Sequence, residues 1–191
     1  MDYVTRVLND PRDMDAFRWD ALLAQQDAPT PFMSHAYLLA LHESSSAIPK
    51  TGWKPHFVTL WQEDQLVAAC ALYLKSHSYG EYVFDWAWAN AYGEHGLAYY
   101  PKGLLAVPFT PVPGARLLAT NSNSRTHLLQ TLLDVCKDLE LSSLHLLFTS
   151  PQDRIACDAL GLMQRQTVQF HWQNLDDGLR IQSIKFKATE S

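Results

Sequence analysis

The segment Lys75-Ser-His-Ser-Tyr-Gly-Glu-Tyr-Val-Phe-Asp85 places a lysine, an imidazole, hydroxyls and two carboxylates in an otherwise apolar stretch. Polar side chains that punctuate a strand pair mark where a sheet opens onto a cleft. Acyl transfer to an amine needs such a set: a base for the ammonium proton, and donors for the oxyanion that develops on the carbonyl. His77, Glu81 and Asp85 are the candidate bases, and Ser76, Tyr79 and backbone N–H groups the candidate donors. The plainer reading is a hairpin turn with Gly80 at positive φ and solvated Ser and His side chains. Asp85, between Phe84 and Trp86, is the sharper oddity, because a carboxylate among aromatics must be paired, hydrogen-bonded or pKa-shifted if it is buried. If it faces solvent, it is an ordinary strand residue.

Other candidates lie further along. Lys75, Ser76, Tyr79 and Trp86, then Tyr99, Tyr100 and Lys102 from a long loop, and His171 near the end, are the candidate substrate contacts. Long loops in compact domains are often functional, although a mobile aromatic surface loop fits equally well. His171 reaches either a cleft or solvent. His145, flanked by Leu144 and Leu146, reads as a satisfied core histidine, and His35 as an exposed first-turn residue. No Ser-His-Asp arrangement follows from spacing.

Elements that would position these groups are legible from periodicity. Tyr3 to Leu8 reads as a first strand, broken by Pro11. Asp13 is a candidate N-cap for a helix reaching about Gln26, and Ser34 caps a second helix carrying Tyr37, Leu38 and Leu41. Ser44 to Pro55 is a loop. Phe57 to Trp61 and Leu66 to Leu74 are strands joined by a polar turn at Glu63-Asp64-Gln65; the second is apolar on both faces, as in a central strand covered by helices. Glu81 to Trp88 alternates, with Tyr82, Phe84, Trp86 and Trp88 on one face, which reads as core or sheet face rather than a sugar platform. A Tyr- and Gly-rich loop from Asn90 to Gly103 and a strand from Leu104 to Phe109 follow. The last third alternates helix and strand: a helix opening at Asn123 or Ser124 with Leu128, Leu129, Leu132, Leu133, Cys136 and Leu139 on its apolar face, a strand from Ser143 to Phe148, a helix from Gln152 to Leu160 stopped by Gly161, and a strand from Leu162 to Trp172. Antiparallel strands followed by βαβαβ imply an α/β (α+β) class, with a mixed central sheet and helices on both faces. This order is that of the GNAT-like acyl-CoA N-acyltransferase fold, and topology alone gives no activity.

Composition excludes several classes. The 191 residues are 47% hydrophobic, 12% aromatic and only 18% charged, which is incompatible with a disordered chain. The formal net charge of −5 argues against wholesale nucleic-acid binding, which needs clustered Lys and Arg, and no DNA partner is expected. Cys70, Cys136 and Cys157 form no CxxC pair or zinc spacing, so no metal is expected; as buried free thiols they fit a cytoplasmic location. Neither a signal peptide nor an apolar run of the roughly 20 residues that span a bilayer is visible.

Several words resemble the FemAB-like proteins, peptidoglycan biosynthesis or recognition proteins of the GNAT superfamily. They are Pro31-Phe-Met-Ser-His-Ala-Tyr37, Thr51-Gly-Trp-Lys-Pro55, Leu74-Lys-Ser-His-Ser-Tyr-Gly-Glu-Tyr-Val-Phe-Asp-Trp-Ala-Trp88, Tyr99-Tyr-Pro-Lys102, Ala106-Val-Pro-Phe-Thr-Pro-Val112 with Gly114 and Arg116, and Val168-Gln-Phe-His-Trp172. The resemblance implies N-acyl or aminoacyl transfer to an amine on a peptidoglycan-precursor-like or small-molecule acceptor, with acyl-CoA or aminoacyl-tRNA as donor. It also implies a domain at 1–174 that corresponds to the N-terminal half of a longer, two-domain protein. The tail 175–191 departs from the family pattern, as a truncation or frameshift would make it, so a missing second domain or self-association is expected to bear on activity. A non-catalytic ligand- or partner-binding domain, or an inactive remnant, is the rival expectation. In GNAT enzymes the loop equivalent to 109–116 cradles the CoA pyrophosphate on backbone N–H groups, which makes Thr110, Val112, Gly114 and Arg116 the candidate cofactor contacts. The family's glycine pattern is absent from that loop, and Pro111 and Pro113 offer no N–H; a proline-rich turn is the structural alternative.

Overall fold

In the computed structural model, residues 2–83 and 85–166 are described with their side chains, together with the backbone of 168–172 and 186–190. The order is β1 (Val4–Leu8), α1 (Ala16–Ala24), α2 (His35–Glu43), β2 (Trp53–Pro55), β3 (Phe57–Gln62), β4 (Gln65–Cys70), β5 (Leu72–Lys75), α3 (Trp86–Glu94), β6 (Lys102–Leu105), β7 (Leu118–Ala119), α4 (Ser122–Asp138), β8 (Leu144–Leu146), α5 (Pro151–Ala159), β9 (Val168–Trp172) and β10 (Phe186–Glu190).

Two four-stranded sheets, β1-β3-β4-β7 and β2-β5-β6-β8, share one long hairpin. Its arms are β2–β3 and β4–β5, turned at Glu63 and Asp64, and the His56 N–H donates to the Leu72 carbonyl at 2.9 Å between the two ladders. All named pairings in these sheets are antiparallel except β6 with β8, which is parallel, so the architecture is mixed. β9 and β10 form a separate antiparallel pair.

The period of two along this hairpin sorts its side chains into two cores. Phe57, Ala69, Ala71, Tyr73 and Leu104 pack with Trp19, Leu22 and Leu23 of α1 and Leu38 of α2. Val58, Leu60, Ala68, Cys70, Leu72 and Leu105 pack with Leu128, Leu129 and Leu132 of α4 and Ala156 and Cys157 of α5. Helices therefore cover both faces, which makes the central strands apolar throughout. This α+β arrangement is consistent with the expected GNAT-like fold. The three cysteines are free and buried.

The elements depart from the sequence expectation in instructive places. Asp15, not Asp13, caps α1, accepting from the Arg18 N–H at 3.0 Å, because Pro11 starts a separate 3-10 turn over 11–13. Asn121 caps α4, with Ser124 returning a bond to the Asn121 N–H. The largest correction concerns the expected strand from Glu81 to Trp88. It does not form: Tyr82 has φ 59°, and Trp86 begins α3. Extended backbone would separate Glu81 from Asp85 by about 13 Å, yet both carboxylates bond one ammonium, so the chain between them must fold back. Tyr82, Trp86 and Trp88 are consequently exposed (59, 48 and 42%) rather than a core face. α3 occupies the start of the expected loop at 90–103, and Lys102 lies in β6, not in that loop.

Candidate functional site

Lys75 of β5 and Lys102 of β6 are direct cross-strand partners, and both are fully buried. Like charges opposite each other destabilise a ladder, and a buried ammonium costs several kcal/mol unless it is paired. Each amine meets this cost differently. Lys102 Nζ donates to Glu81 Oε2 at 2.8 Å, to Ser78 Oγ at 2.9 Å and to Asp85 Oδ2. Among the described residues Lys75 Nζ has no carboxylate in ion-pair range; it sits 3.6 Å from the Trp53 ring centroid and donates to the Tyr79 carbonyl at 3.2 Å. Burial pushes Lys75 down to about 8; Lys102 adds to that and Glu81 opposes it.

This position sets the sign of a stability effect. Between pH about 8 and 10.5 the folded chain binds fewer protons at Lys75 than the unfolded chain does. Stability therefore rises with pH across that window, and the full cost is carried below it. Lys75→Met is expected to remove that slope. Urea midpoints of variant and wild type at pH 7.5 and 10 measure it as a difference; parallel curves would reject it.

The two carboxylates are pushed apart. Burial raises Glu81, and the Lys102 hydrogen bond only partly offsets it. Burial also acts to raise Asp85, but donation from Lys102, Ser78 (2.9 Å) and Tyr99 (2.8 Å) prevails and holds it below its ordinary value. Divergent carboxyls of this kind are a hallmark of acid–base sites. Ser78 Oγ also meets the Tyr100 hydroxyl at 2.8 Å. Tyr99, whose phenol is raised by burial and by Asp85, lies 3.4 Å from His145 Nε2, which is 2.9 Å from Ser143 Oγ. Two oxygens remain over: Glu81 Oε1 and Asp85 Oδ1 are buried and accept no hydrogen bond from any described residue.

The fold thus brings Lys75, Glu81, Asp85, Tyr99, Tyr100 and Lys102 together and leaves other candidates aside. Ser76 is exposed, and the Tyr79 side chain is 65% exposed, so it is Tyr79's carbonyl that enters the cluster. Trp86 stands outside, edge-on to Tyr79 at 5.7 Å. His77 makes no bond to either carboxylate; its Nδ1 accepts from the Tyr79 N–H at 3.2 Å, and burial with Lys75 lowers it. The His171 side chain lies outside the described residues. Sequence reasoning missed Trp53, Ser78, Ser143 and His145. Ser78 was inside the flagged segment, while for His145 only the alternation of its strand was visible.

His77 is held over Gly52, which has φ 76° and would place a Cβ 2.2 Å from His77 Nε2. Gly52→Ala is expected to cost about 1–2 kcal/mol for the left-handed backbone and to displace the ring. Thermal unfolding and the His77 NMR titration, which would move toward the ordinary 6.5, check this. An unshifted titration would sink it.

The expected CoA loop does not fit its cofactor. The N–H groups of Phe109, Thr110, Val112 and Gly114 donate to the Gly80, Val107, Thr110 and Phe148 carbonyls at 3.1, 3.3, 2.9 and 3.0 Å. Those of Arg116 and Leu117 go to the Asp153 carboxylate at 2.7 and 3.3 Å. The Arg116 side chain, expected to meet a phosphate, is 1% exposed and donates inward to the Leu147 carbonyl at 2.8 Å and to the Val112 carbonyl. Burial lowers it to about 10. The Thr110 hydroxyl is engaged with Tyr37 at 3.1 Å. Of the donors named here, only Arg116 Nη1, buried and without a partner among the described residues, is not spent inside the fold.

Among the described residues, no group of His, Cys, Asp and Glu is placed to hold a metal ion, and no helix is long and apolar enough to cross a membrane. A cavity of about 280 Å³ lined by Arg6, Arg18 and Trp61 shares no residue with the lysine cluster. A sequence model described as FemAB-like, peptidoglycan biosynthesis/recognition, matches residues 11–179. The chain belongs to the FemAB-like family. No curated protein matches it, and no solved structure does. The FemAB-like match spans every member of the buried cluster, from Trp53 to His145.

Proposed function

We propose that the Lys102–Glu81–Asp85 cluster is the acceptor end of an N-acyl or aminoacyl transfer site acting on an amine of a peptidoglycan-precursor-like molecule. One observation carries this reading: two carboxylates that share the Lys102 ammonium each keep a buried oxygen, Glu81 Oε1 and Asp85 Oδ1, to which no described residue donates. Buried acceptors are normally satisfied, and a substrate ammonium supplies the missing donors. Glu81, the carboxyl raised by burial, takes the ammonium proton. The freed amine attacks the donor's carbonyl carbon, and the Lys75 ammonium or the Tyr100 hydroxyl faces the oxyanion. Collapse of the tetrahedral species forms the amide, with the nitrogen's second proton passing to the departing oxygen or sulfur of the donor's carrier. The engaged amides of Phe109, Thr110, Val112, Gly114, Arg116 and Leu117 favour a donor not gripped by its pyrophosphate, of which aminoacyl-tRNA is the family's example.

A second reading, a ligand-binding domain without transfer, is favoured by the enclosure of the cluster. One experiment separates the two. The purified chain is given labelled aminoacyl-tRNA or acetyl-CoA with a muramyl-pentapeptide acceptor, and acceptor binding is followed by calorimetry in parallel. Label in the acceptor supports transfer; saturable binding without label supports the second reading, and neither result rejects both.

A further inference from the structure

We propose that Tyr99 and His145 form a relay that carries a proton between the buried carboxylates and solvent. The inference rests on the reading of Glu81 and Asp85 as the proton-accepting pair. Transfer of an acyl group to an ammonium releases one net proton, and a base enclosed in protein must discharge it before the next turnover.

A continuous path exists. Lys102 Nζ donates to Glu81 at 2.8 Å and also to Asp85, so it can hand a proton to Asp85 while taking the one held by Glu81. Asp85 Oδ2 meets the Tyr99 hydroxyl at 2.8 Å, and that hydroxyl meets His145 Nε2 at 3.4 Å. Outward passage breaks the O–H bond at Asp85 and forms one at the Tyr99 oxygen. The former Tyr99 proton forms an N–H bond at His145 Nε2, and the imidazole then releases its Nδ1 proton to water. The proton's passage leaves the imidazole as its Nε2–H tautomer; exchange of its ring protons with water returns it to the Nδ1–H form, and charge and atoms then balance with no other reactant.

His145 is suited to the outer end. It is only partly buried, and its Nδ1 makes no hydrogen bond among the described residues. The groups facing it are Tyr99, Ser143, Lys102, Asp85 and Arg165; burial, then Lys102, keep it low, at about 4, so it stands neutral and able to receive a proton at neutral pH. Tyr99 is fixed on both sides, since its carbonyl accepts from the Ser142 hydroxyl while its own hydroxyl bridges the carboxylate and the imidazole. Tyr99 and His145 act through Asp85 and are positioning residues rather than catalytic ones.

The test needs no substrate. A rapid pH jump is followed by infrared absorption of the protonated carboxyl stretch, assigned with Glu81→Gln and Asp85→Asn. In the wild-type chain the band follows the jump promptly. Tyr99→Phe and His145→Gln are each expected to slow it roughly tenfold or more at a temperature where each variant is folded, and free imidazole is expected to restore the rate in His145→Gly. Unchanged rates in either Tyr99→Phe or His145→Gln would overturn the relay. If Tyr99→Phe fails to fold, the slowing in His145→Gln and the imidazole rescue of His145→Gly decide alone. Missing transfer activity beside an intact relay would count against the transfer reading only.

Discussion

Replacing Lys102 by methionine is expected to destabilise the fold by about 3–5 kcal/mol. Lys102 is fully buried and, among the described residues, is the one ammonium shared by Glu81 and Asp85, whose side chains are 2% and 6% exposed. Methionine fills a similar volume but leaves two carboxylates facing each other without a cation. Such a pair cannot stay doubly ionised in a low-dielectric interior, so it draws protons. Both folded carboxyls in the variant would then bind protons more readily than their unfolded counterparts. The deficit should therefore shrink as pH falls from 7 toward 4 and stay full above it. Adding Glu81→Gln and Asp85→Asn should recover much of the loss, since a neutral cluster no longer needs the ammonium. Urea unfolding of the single and triple variants at pH 7 and 5 measures all of this. A loss under about 1 kcal/mol, typical of solvated pairs, would mean that the cluster is hydrated and that its bare oxygens say nothing about a ligand.

Glu81→Gln is expected to lower the transfer rate by about 10²- to 10⁴-fold, the usual contribution of a positioned base. The wild-type rate should rise with pH through the raised titration of Glu81, with a midpoint above its ordinary 4.5. Only the deprotonated carboxylate can take the ammonium proton, so the limb ascends toward neutrality, and in the variant it should vanish. Retention within threefold of the wild-type rate, at an unchanged thermal midpoint, would remove Glu81 from the mechanism. His77→Gln should leave the rate nearly unchanged, because its ring contacts Tyr79 and Gly52 and bonds neither carboxylate.

How much of this was legible in the sequence differs by level. The hairpin from Phe57 to Leu74 announced itself because apolar residues on both faces leave few alternatives to a strand between two helix layers. Gly161, with φ 68°, ended its helix as a glycine after an apolar run should. Asp85 was visible as a carboxylate that must be satisfied if buried, and it is 5% exposed with three donors. Its partners were not visible. The aromatic alternation from Tyr82 to Trp88 imitated a strand, and nothing local told that Lys102 would draw Glu81 and Asp85 to one point. Pairing of Lys75 with Lys102 depends on the register of β5 against β6, a long-range property that no window of sequence contains. His145 was assigned to the core because its neighbours are leucines, and only tertiary packing sets its ring beside Tyr99.

The loop after β6 has one more consequence. Besides Arg116 and Leu117, the Ser150 N–H also points at Asp153, at 3.2 Å from Oδ2. Three converging backbone amides are the apparatus with which a protein grips an external anion. In this chain the anion is its own side chain, supplied from the first turn of α5 and wholly buried. The aspartate is a permanent tenant: it ties the loop to the helix and occupies three amides that would otherwise be open to an outside anion.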